Sequence, residues 1–370
     1  MGQYTIALLG GDGIGPEVTA EAVRVLRAVA ERFGHGFTFK EALVGQSAIQ
    51  AEGAPVSDET LRLCAASDAV LFGAVGTIDV KASASGPKPE SAILRLRKQL
   101  ELFTNLRPVH PFPALLAASA IRPERLQGVD LVVVRELTGG LYFGKPSEIR
   151  ESETGALAID TMIYSESEIE RVVRYACDLA RSRRKRVTSV DKANVLSCSR
   201  LWRRVAERVA QDYPDIEVRH LLVDACAMDL IRRPAEFDVI VTENMFGDIL
   251  TDEASMLTGS MGLLPSASLG TTTTTHGQFG LYEPIHGTAP DIAGQGKANP
   301  LAAILSAALL LRHSLSLAAE AAAVERAVEV VIAAGYRTPD IATSEETPVS
   351  TQVMGAEVAR RVGLAGAPAE

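Results

Sequence analysis

Asp248 and Asp252 stand four residues apart where the spacing becomes helical, so their carboxylates lie on one helix face, one above the other. Like charges stacked this way repel unless something positive lies between them. A hard cation such as Mg²⁺, which takes oxygen ligands, is one candidate. The plainer alternative is that Asp248 favours the positive helix end and Asp252 is simply solvated. Asp224, at the end of another apolar run, is a third carboxylate. Arg97, Arg107 and Arg135 fall near element ends in a chain that is acidic overall. Guanidinium grips a carboxylate through two parallel bonds, so these three suit a small dianion; ordinary surface arginines are the alternative. Lys192 ends a strand-like run beside Asp191 and Asn194 and has the chemistry of a proton carrier. Tyr142 lies a short way beyond Arg135.

Strand ends and helix starts must hold these side chains. Phe237 to Val241 is apolar and β-branched, as a buried strand is. A polar turn, Thr242 to Asn244, and Gly247 lead into a helix from Asp248, with Ile249, Leu250, Ala254 and Leu257 along its apolar face. Tyr4 to Leu9 reads as a strand and Pro16 to Phe33 as an amphipathic helix. The glycines between them, Gly10 to Gly15, are not a dinucleotide fingerprint: the third comes too early, and no acidic residue ends a second strand at the right distance. A tight structural turn and a ligand-facing loop both remain open.

Further on, Ala69 to Gly73 is a buried strand and Ser91 to Phe103 a helix that Asn105 to Pro108 ends and turns. Val129 to Val134 is a strand delivering Arg135, Gly155 to Tyr164 an exposed hairpin or arm, and Ser167 to Arg184 a helix. Arg186 to Val190 is the strand before Lys192. A helix, Ser199 to Gln211, and the strand Glu217 to Leu222 lead to Asp224. Thr271 to Thr275 reads as a mobile low-complexity loop, Pro284 to Gly294 as a turn-rich loop, and Leu301 to Arg312 and Leu317 to Ala334 as the closing helices. Residues after Gly363 read as frayed.

The 370 residues are 47% hydrophobic and 22% charged, enough for two domains with full cores. A formal charge of −9 argues against a nucleic-acid partner. Cys64, Cys177, Cys198 and Cys226 form no CxxC pair, so neither a zinc cluster nor a disulfide framework is expected. Reduced thiols, and no basic stretch ahead of a long apolar one, give the expectation of a cytoplasmic protein. The longest apolar run, Leu301 to Leu311, is too short for a membrane span.

Taken in order from about Tyr4 to Gly363, GDGIGPE, NLRP, VRELTGGLYFG, SVDKANVL, FGDILTDEAS and HGTAPDIAG resemble the β-decarboxylating dehydrogenases, the family of isocitrate and 3-isopropylmalate dehydrogenases. RELTGGLYFG looks like the isopropylmalate branch. The resemblance implies an α/β fold of two domains with the active-site cleft between them. Residues 1–102 plus 255–370 would form the discontinuous cofactor-side domain, and 103–254 the metal-side domain with the dimer contacts. It implies NAD-dependent oxidative decarboxylation of (2R,3S)-3-isopropylmalate to 4-methyl-2-oxopentanoate and CO₂, or the same reaction on another 3-substituted malate, tartrate or D-malate.

By resemblance Arg97, Arg107, Arg135, Asp224 and Ile93 meet the substrate, and Asp224, Asp248 and Asp252 hold Mg²⁺ or Mn²⁺. Lys192 takes the hydroxyl proton and Tyr142 helps protonate the enolate. Glu90, Asn244, His286, Gly287, Thr288, Ala289, Pro290, Asp291, Ile292 and Asn299 bind NAD. Lys192 and Asp224 cross from the second subunit of a homodimer with shared sites. Asp291-Ile292 stands where NADP-using relatives place Lys-Tyr; a carboxylate accepts bonds from a free ribose hydroxyl but repels a phosphate, so NAD is expected over NADP. The chain departs from the pattern at Thr77 to Pro89, where relatives read GGPKW, and this leaves the 3-substituent open. The Gln278-Phe279-Gly280 insert has no counterpart in the pattern.

Overall fold

The computed structural model describes residues 2–76 and 86–364. In chain order its elements are β1 (Gln3–Gly11), α1 (Gly15–Phe33), β2 (Gly36–Glu41), α2 (Gln46–Glu52), α3 (Asp58–Ala65), β3 (Ala69–Ala74), α4 (Ser91–Gln99), β4 (Thr104–Val109), α5 (Pro123–Leu126), β5 (Leu131–Glu136), β6 (Ser147–Ser152) and β7 (Gly155–Asp160). They continue with α6 (Glu166–Arg181), β8 (Arg186–Asp191), α7 (Ser197–Ala210), β9 (Glu217–Leu222), α8 (Val223–Arg232), β10 (Val239–Thr242), α9 (Asn244–Thr258), β11 (Pro265–Thr273), β12 (Gln278–Pro284), α10 (Leu301–His313), α11 (Ala318–Ala333) and α12 (Thr351–Leu364). The chain divides into two compact units, each discontinuous in sequence: Met1–Leu102, Pro111–Ala120 and Thr258–Glu370 in one, Phe103–His110 and Ile121–Leu257 in the other.

In the first unit the strands lie in the order β2-β1-β3-β12-β11. They are parallel except for the antiparallel pair β11–β12. β3 is buried along its whole length, which is why its sequence is a continuous apolar run rather than an alternating one. Val70, Phe72, Leu281 and Phe279 of the sheet pack with Ala92 and Leu96 of α4 in one core cluster. Truncating Leu96 to Ala would cost roughly 2–5 kcal/mol and loosen the helix that carries Arg97. α1 ends at Gly34, whose φ of 73° lets its amide reach the Ala30 carbonyl. In the second unit the order is β4-β5-β10-β8-β9. β4 and β5 are antiparallel and the other pairs parallel, with Val241 opposite Val134 on one side and Ser189 on the other. α6 opens with a capping box made by Ser165 and Glu168. β6 and β7 form an exposed two-stranded hairpin.

Four local expectations change. Asn105 to Pro108 do not turn the chain but extend it into β4, because backbone pairing with β5 sets Asn105 opposite Arg135. Thr271 to Thr273 finish β11 instead of forming a loop, and Thr273 pairs with Gln278; β-branched residues suit a strand. Phe279 of the unaccounted insert is 3% exposed, a core residue of β12. α9 starts at Asn244, four residues before Asp248, since the Glu243 carbonyl accepts the Gly247 amide. α12 went unseen in the sequence: it packs on α1, where the Arg32 guanidinium holds the Val362 carbonyl at 2.9 Å. Residues 77–85 of the divergent segment and 365–370 of the tail lie outside the described residues.

All four cysteines are free, and burial pushes the thiols of Cys64, Cys177 and Cys226 up to about 12, so they pack as small apolar groups. Among the described residues, no helix is long and apolar enough to cross a membrane.

Candidate active site

In the second unit, β5 ends at Arg135 and Glu136, and β4 runs antiparallel beside it with Arg107. Asn105 and Arg107 share one face of β4 because they are two residues apart, and Asn105 Oδ1 accepts the Arg107 Nε–H at 2.7 Å. Arg107 Nη1 donates to Thr251 Oγ1 at 2.5 Å. Arg135 is 2% exposed and its fork is filled: Nε donates to the Asn244 carbonyl at 2.8 Å, Nη2 to Asn244 Oδ1 at 2.8 Å and Nη1 to Asp248 Oδ1 at 2.6 Å. α9 can pass this close only because residue 247 is glycine; a Cβ there would come within 2.7 Å of Arg135 Cγ.

Asp248 collects these groups. Its Oδ1 lies 3.4 Å from Arg107 Nη2, and its Oδ2 accepts the Tyr142 hydroxyl at 2.9 Å. Burial first, then the Asp248 charge and hydrogen bond, push the Tyr142 hydroxyl above its ordinary value, so it stays protonated and able to donate. Asp252, one turn on, has a side chain 56% exposed and sits 3.8 Å from Arg107 Nη1. Burial, with Asp248 adding to it, raises its carboxyl above the ordinary range. Two such carboxylates on successive turns are hard oxygen donors suited to Mg²⁺ or Mn²⁺.

A second pair stands apart from that group in the contacts it makes. Lys192 Nζ donates to Asp224 Oδ1 at 2.7 Å. That bond, followed by backbone amides, holds Asp224 below the usual carboxylate range. Asp224 lies in the first turn of α8 rather than at the strand end. Among the described residues no three His, Cys, Asp or Glu side chains gather within the chain. Around these groups several large apolar side chains of the same unit are exposed, among them Met228 (64%) and Ile231 (51%) on α8 and Ile249 (59%) on α9.

In the first unit, Arg97 is 8% exposed and donates to Glu283 Oε1 at 2.9 Å. Ile93, on the same helix, packs partly against the core cluster, and Glu90 is exposed just ahead of that helix. The glycine loop after β1 turns out to be a clamp. Gly13 has φ +58°, and the next amide, of Ile14, donates to the Thr288 carbonyl at 2.8 Å. Asp12 is 4% exposed and accepts the amides of Gln46 (2.8 Å), Ser47 (3.2 Å) and Gly76 (3.3 Å). The loop therefore holds the 286–292 turn, in which Ala289 has a strained φ of +38°.

Beside that turn is a cavity of about 390 Å³ lined by Ile14, His286, Ile292, Lys297, Asn299 and Asp340, among others. Since a carbonyl only accepts, the His286 Nδ1–H must donate to Gly287, at 2.9 Å. Burial lowers the His286 pKa, so Nε2 is a bare acceptor, buried and with no partner among the described residues. Such an orphaned acceptor in a cavity fits an amino-purine edge. Asn299 is held by the Leu301 amide and Asp340 at 3.0 Å each. Gly287, Pro290 and Asp291 are exposed at the surface of the same turn.

Sequence reading found the charged groups but missed the residues that aim them: Asn105, Thr251 and Glu283. Only Asn105 left a signal, its two-residue spacing from Arg107. Asn244 was expected at the cofactor; its side chain is 1% exposed and engaged with Arg135 and, through Nδ2, the Gly139 carbonyl at 3.0 Å. Gly139, part of the branch-marking LTGG, is glycine because a Cβ would come within 2.6 Å of the Tyr164 ring.

An α/β chain with a carboxylate pair set among arginines and a tyrosine belongs to a definable class. The chain is a member of the isocitrate/isopropylmalate dehydrogenase family, whose model matches residues 5–358. Within that family it is 58% identical to a protein of Geobacillus kaustophilus called 3-isopropylmalate dehydrogenase, over 97% of this chain and 95% of that protein. Among solved structures it is similar to an isocitrate dehydrogenase from Methylococcus capsulatus (TM-score 0.86, 36% identity, 97% of this chain and 99% of that one). It is also similar to a β-decarboxylating dehydrogenase from Thermococcus kodakarensis (TM-score 0.76, 37% identity, 97% and 96%).

Proposed function

We propose that the chain oxidatively decarboxylates (2R,3S)-3-isopropylmalate to 4-methyl-2-oxopentanoate and CO₂ with NAD, a step of leucine biosynthesis. The family membership and the full-length identity to 3-isopropylmalate dehydrogenases support the reaction. The observation that carries the site is the grouping of Arg107, Arg135 and Tyr142 on Asp248. In this reading Arg97, Arg107 and Arg135 bind the two substrate carboxylates. Buried guanidinium groups already fixed by Asn105, Asn244 and Glu283 lose little freedom on doing so. Lys192 takes the proton of the 2-hydroxyl. Tyr142, kept protonated by its surroundings, returns a proton after CO₂ leaves.

Asp248 and Asp252 hold Mg²⁺ or Mn²⁺ together with Asp224 of a second copy. When bound, the ion draws electron density from the substrate's 2-oxygen and steadies the charge left by decarboxylation. NAD, when bound, would supply the acceptor for the hydride that leaves C2. His286, Ile292 and Asn299 hold its adenine end, Asp291 its ribose, and Glu90 lies on the nicotinamide side. Ile93 faces the 3-substituent. The exposed Met228, Ile231 and Ile249 support a homodimer in which Lys192 and Asp224 of each chain complete the other's site.

The test is turnover of purified protein with NAD across a panel of malates differing only at C3, with Mg²⁺, with Mn²⁺ and after chelation. 3-Isopropylmalate should give the highest kcat/KM, and chelation should abolish NADH formation. NADH formation that survives chelation, or none with any 3-substituted malate, sinks the reading.

A further inference from the structure

Glu243 is the one residue between β10 and α9, is 1% exposed, and has no part in the reaction proposed above. Its neighbour across the parallel pairing is Asp191, because Thr242 faces Val190 in the register. The two buried carboxyls are neutralised unequally. Asp191 accepts two bonds from Arg203 and one from the Ala193 amide, each 2.9 Å. Among the described residues Glu243 meets no cation: Oε1 is hydrogen-bonded to the Ser199 hydroxyl, and Oε2 is buried without a partner. Burial chiefly pushes the Glu243 carboxyl up to about 7; the Ser199 hydrogen bond opposes the rise and the Asp191 charge adds to it. The titratable groups facing it are Asp191 on β8, Cys198 on α7 and Tyr164 ahead of α6.

The bond to Ser199 joins two working parts of the chain. Ser199 sits in the first turn of α7 and is fully buried. The turn leading into that helix starts at Lys192, whose carbonyl accepts the amides of Val195 and Leu196 at 3.0 and 2.9 Å. On the other side, the Glu243 carbonyl takes the Gly247 amide at 2.8 Å and so closes the first turn of α9, the helix of Asp248 and Asp252. The geometry points to Glu243 as a positioning residue: bonded to Ser199, it fixes the Lys192 turn against the start of α9. This rests on the reading that Lys192 and Asp248 serve the dehydrogenase reaction. In a dimer with shared sites, those two residues of one chain work in different sites, so the bridge also sets the spacing of one site against the other. Ionisation of Glu243 would place beside Asp191 a buried charge that the Ser199 bond offsets only in part, and so loosen the bridge.

The test uses the full-length protein in two arms: hydrogen exchange at residues 192–200 and 243–252, and kcat and KM from pH about 6 to about 9. Glu243→Gln keeps an acceptor for Ser199 and never ionises. It should match the parent at pH about 6 within about twofold, and hold its kcat and exchange protection on the alkaline side where the parent loses both. Ser199→Ala and Glu243→Leu should each speed exchange in both segments and lower kcat about tenfold with KM for NAD unchanged. The double variant should be no worse than the worse single one, because both cut one link.

Faster exchange in one segment alone, multiplicative losses, or a Glu243→Gln pH profile that overlays the parent's would overturn the proposal. If Glu243→Leu does not fold, Ser199→Ala and Glu243→Gln carry the same comparison. A parent with no turnover defeats the reaction proposed above, while the exchange arm, which needs no substrate, still decides the bridge.

Discussion

Arg135→Lys keeps the charge and removes the fork. In the parent the guanidinium serves the Asn244 carbonyl, Asn244 Oδ1 and Asp248 Oδ1 at 2.8, 2.8 and 2.6 Å, all from a side chain 2% exposed. An ammonium can keep Asp248 but cannot reach two acceptors of Asn244 in fixed directions. Each buried acceptor left without its donor costs about 1–3 kcal/mol, so the substitution should destabilise the second unit by about 2–6 kcal/mol. The chain's one tryptophan, Trp202, is fully buried in that unit, so its emission during urea unfolding reports the loss directly. In the same variant kcat/KM for the malate substrate should fall about 100-fold or more, because an ammonium no longer braced by Asn244 cannot hold the positive charge where the substrate carboxylate meets it. Asn244→Ala should be non-additive with Arg135→Lys, since the two side chains act as one unit. A Trp202 transition displaced by less than about 1 kcal/mol would refute the claim that the buried fork holds this corner together.

Three further outcomes are expected. Asp291 should make kcat/KM with NAD exceed that with NADP by about tenfold or more, and parity between the two would show that this carboxylate does not set the choice. Gly13→Ala forces a Cβ to 2.1 Å from the Thr288 carbonyl at a φ of +58°, so KM for NAD should rise about tenfold while KM for the malate stays; an unchanged KM for NAD would mean the clamp is idle. Burial and the Arg312 charge hold the His313 imidazole at about 4 against an ordinary 6.5, so the unfolded chain binds a proton in that window that the folded chain does not. Stability should therefore fall as pH drops from 6.5 towards 4, and His313→Gln should flatten the fall; equal slopes in melting series of the two proteins would contradict the assignment.

The contrast between what was readable and what was not follows the range of the interactions. Buried parallel strands such as Ala69–Ala74 and Leu131–Glu136 announce themselves, because burial on both faces demands an unbroken apolar run. The helix that carries Asp248 and Asp252 shows in the spacing of Leu250, Ala254 and Leu257, which are buried, whereas Ile249, expected on the same face, is 59% exposed. β4 and the end of β11 do not, because a strand containing Arg107 and Pro108, or a run of threonines, is made a strand by the partner it bonds to. α12 is likewise legible only once α1 is there to cover it.

By itself the sequence determined the acidic, cysteine-reduced α/β character of the chain, its family, and the identities of the charged groups, since these follow from residue types and short spacings. Only the tertiary structure decided that Asp248 is the meeting point of Arg107, Arg135 and Tyr142. It alone showed that the first glycine loop grips the Thr288 turn, and that Glu243 lies buried against the Ser199 hydroxyl. Each of these is a contact between segments far apart along the chain, and no local pattern records which distant side chain will neutralise a charge or fill a turn.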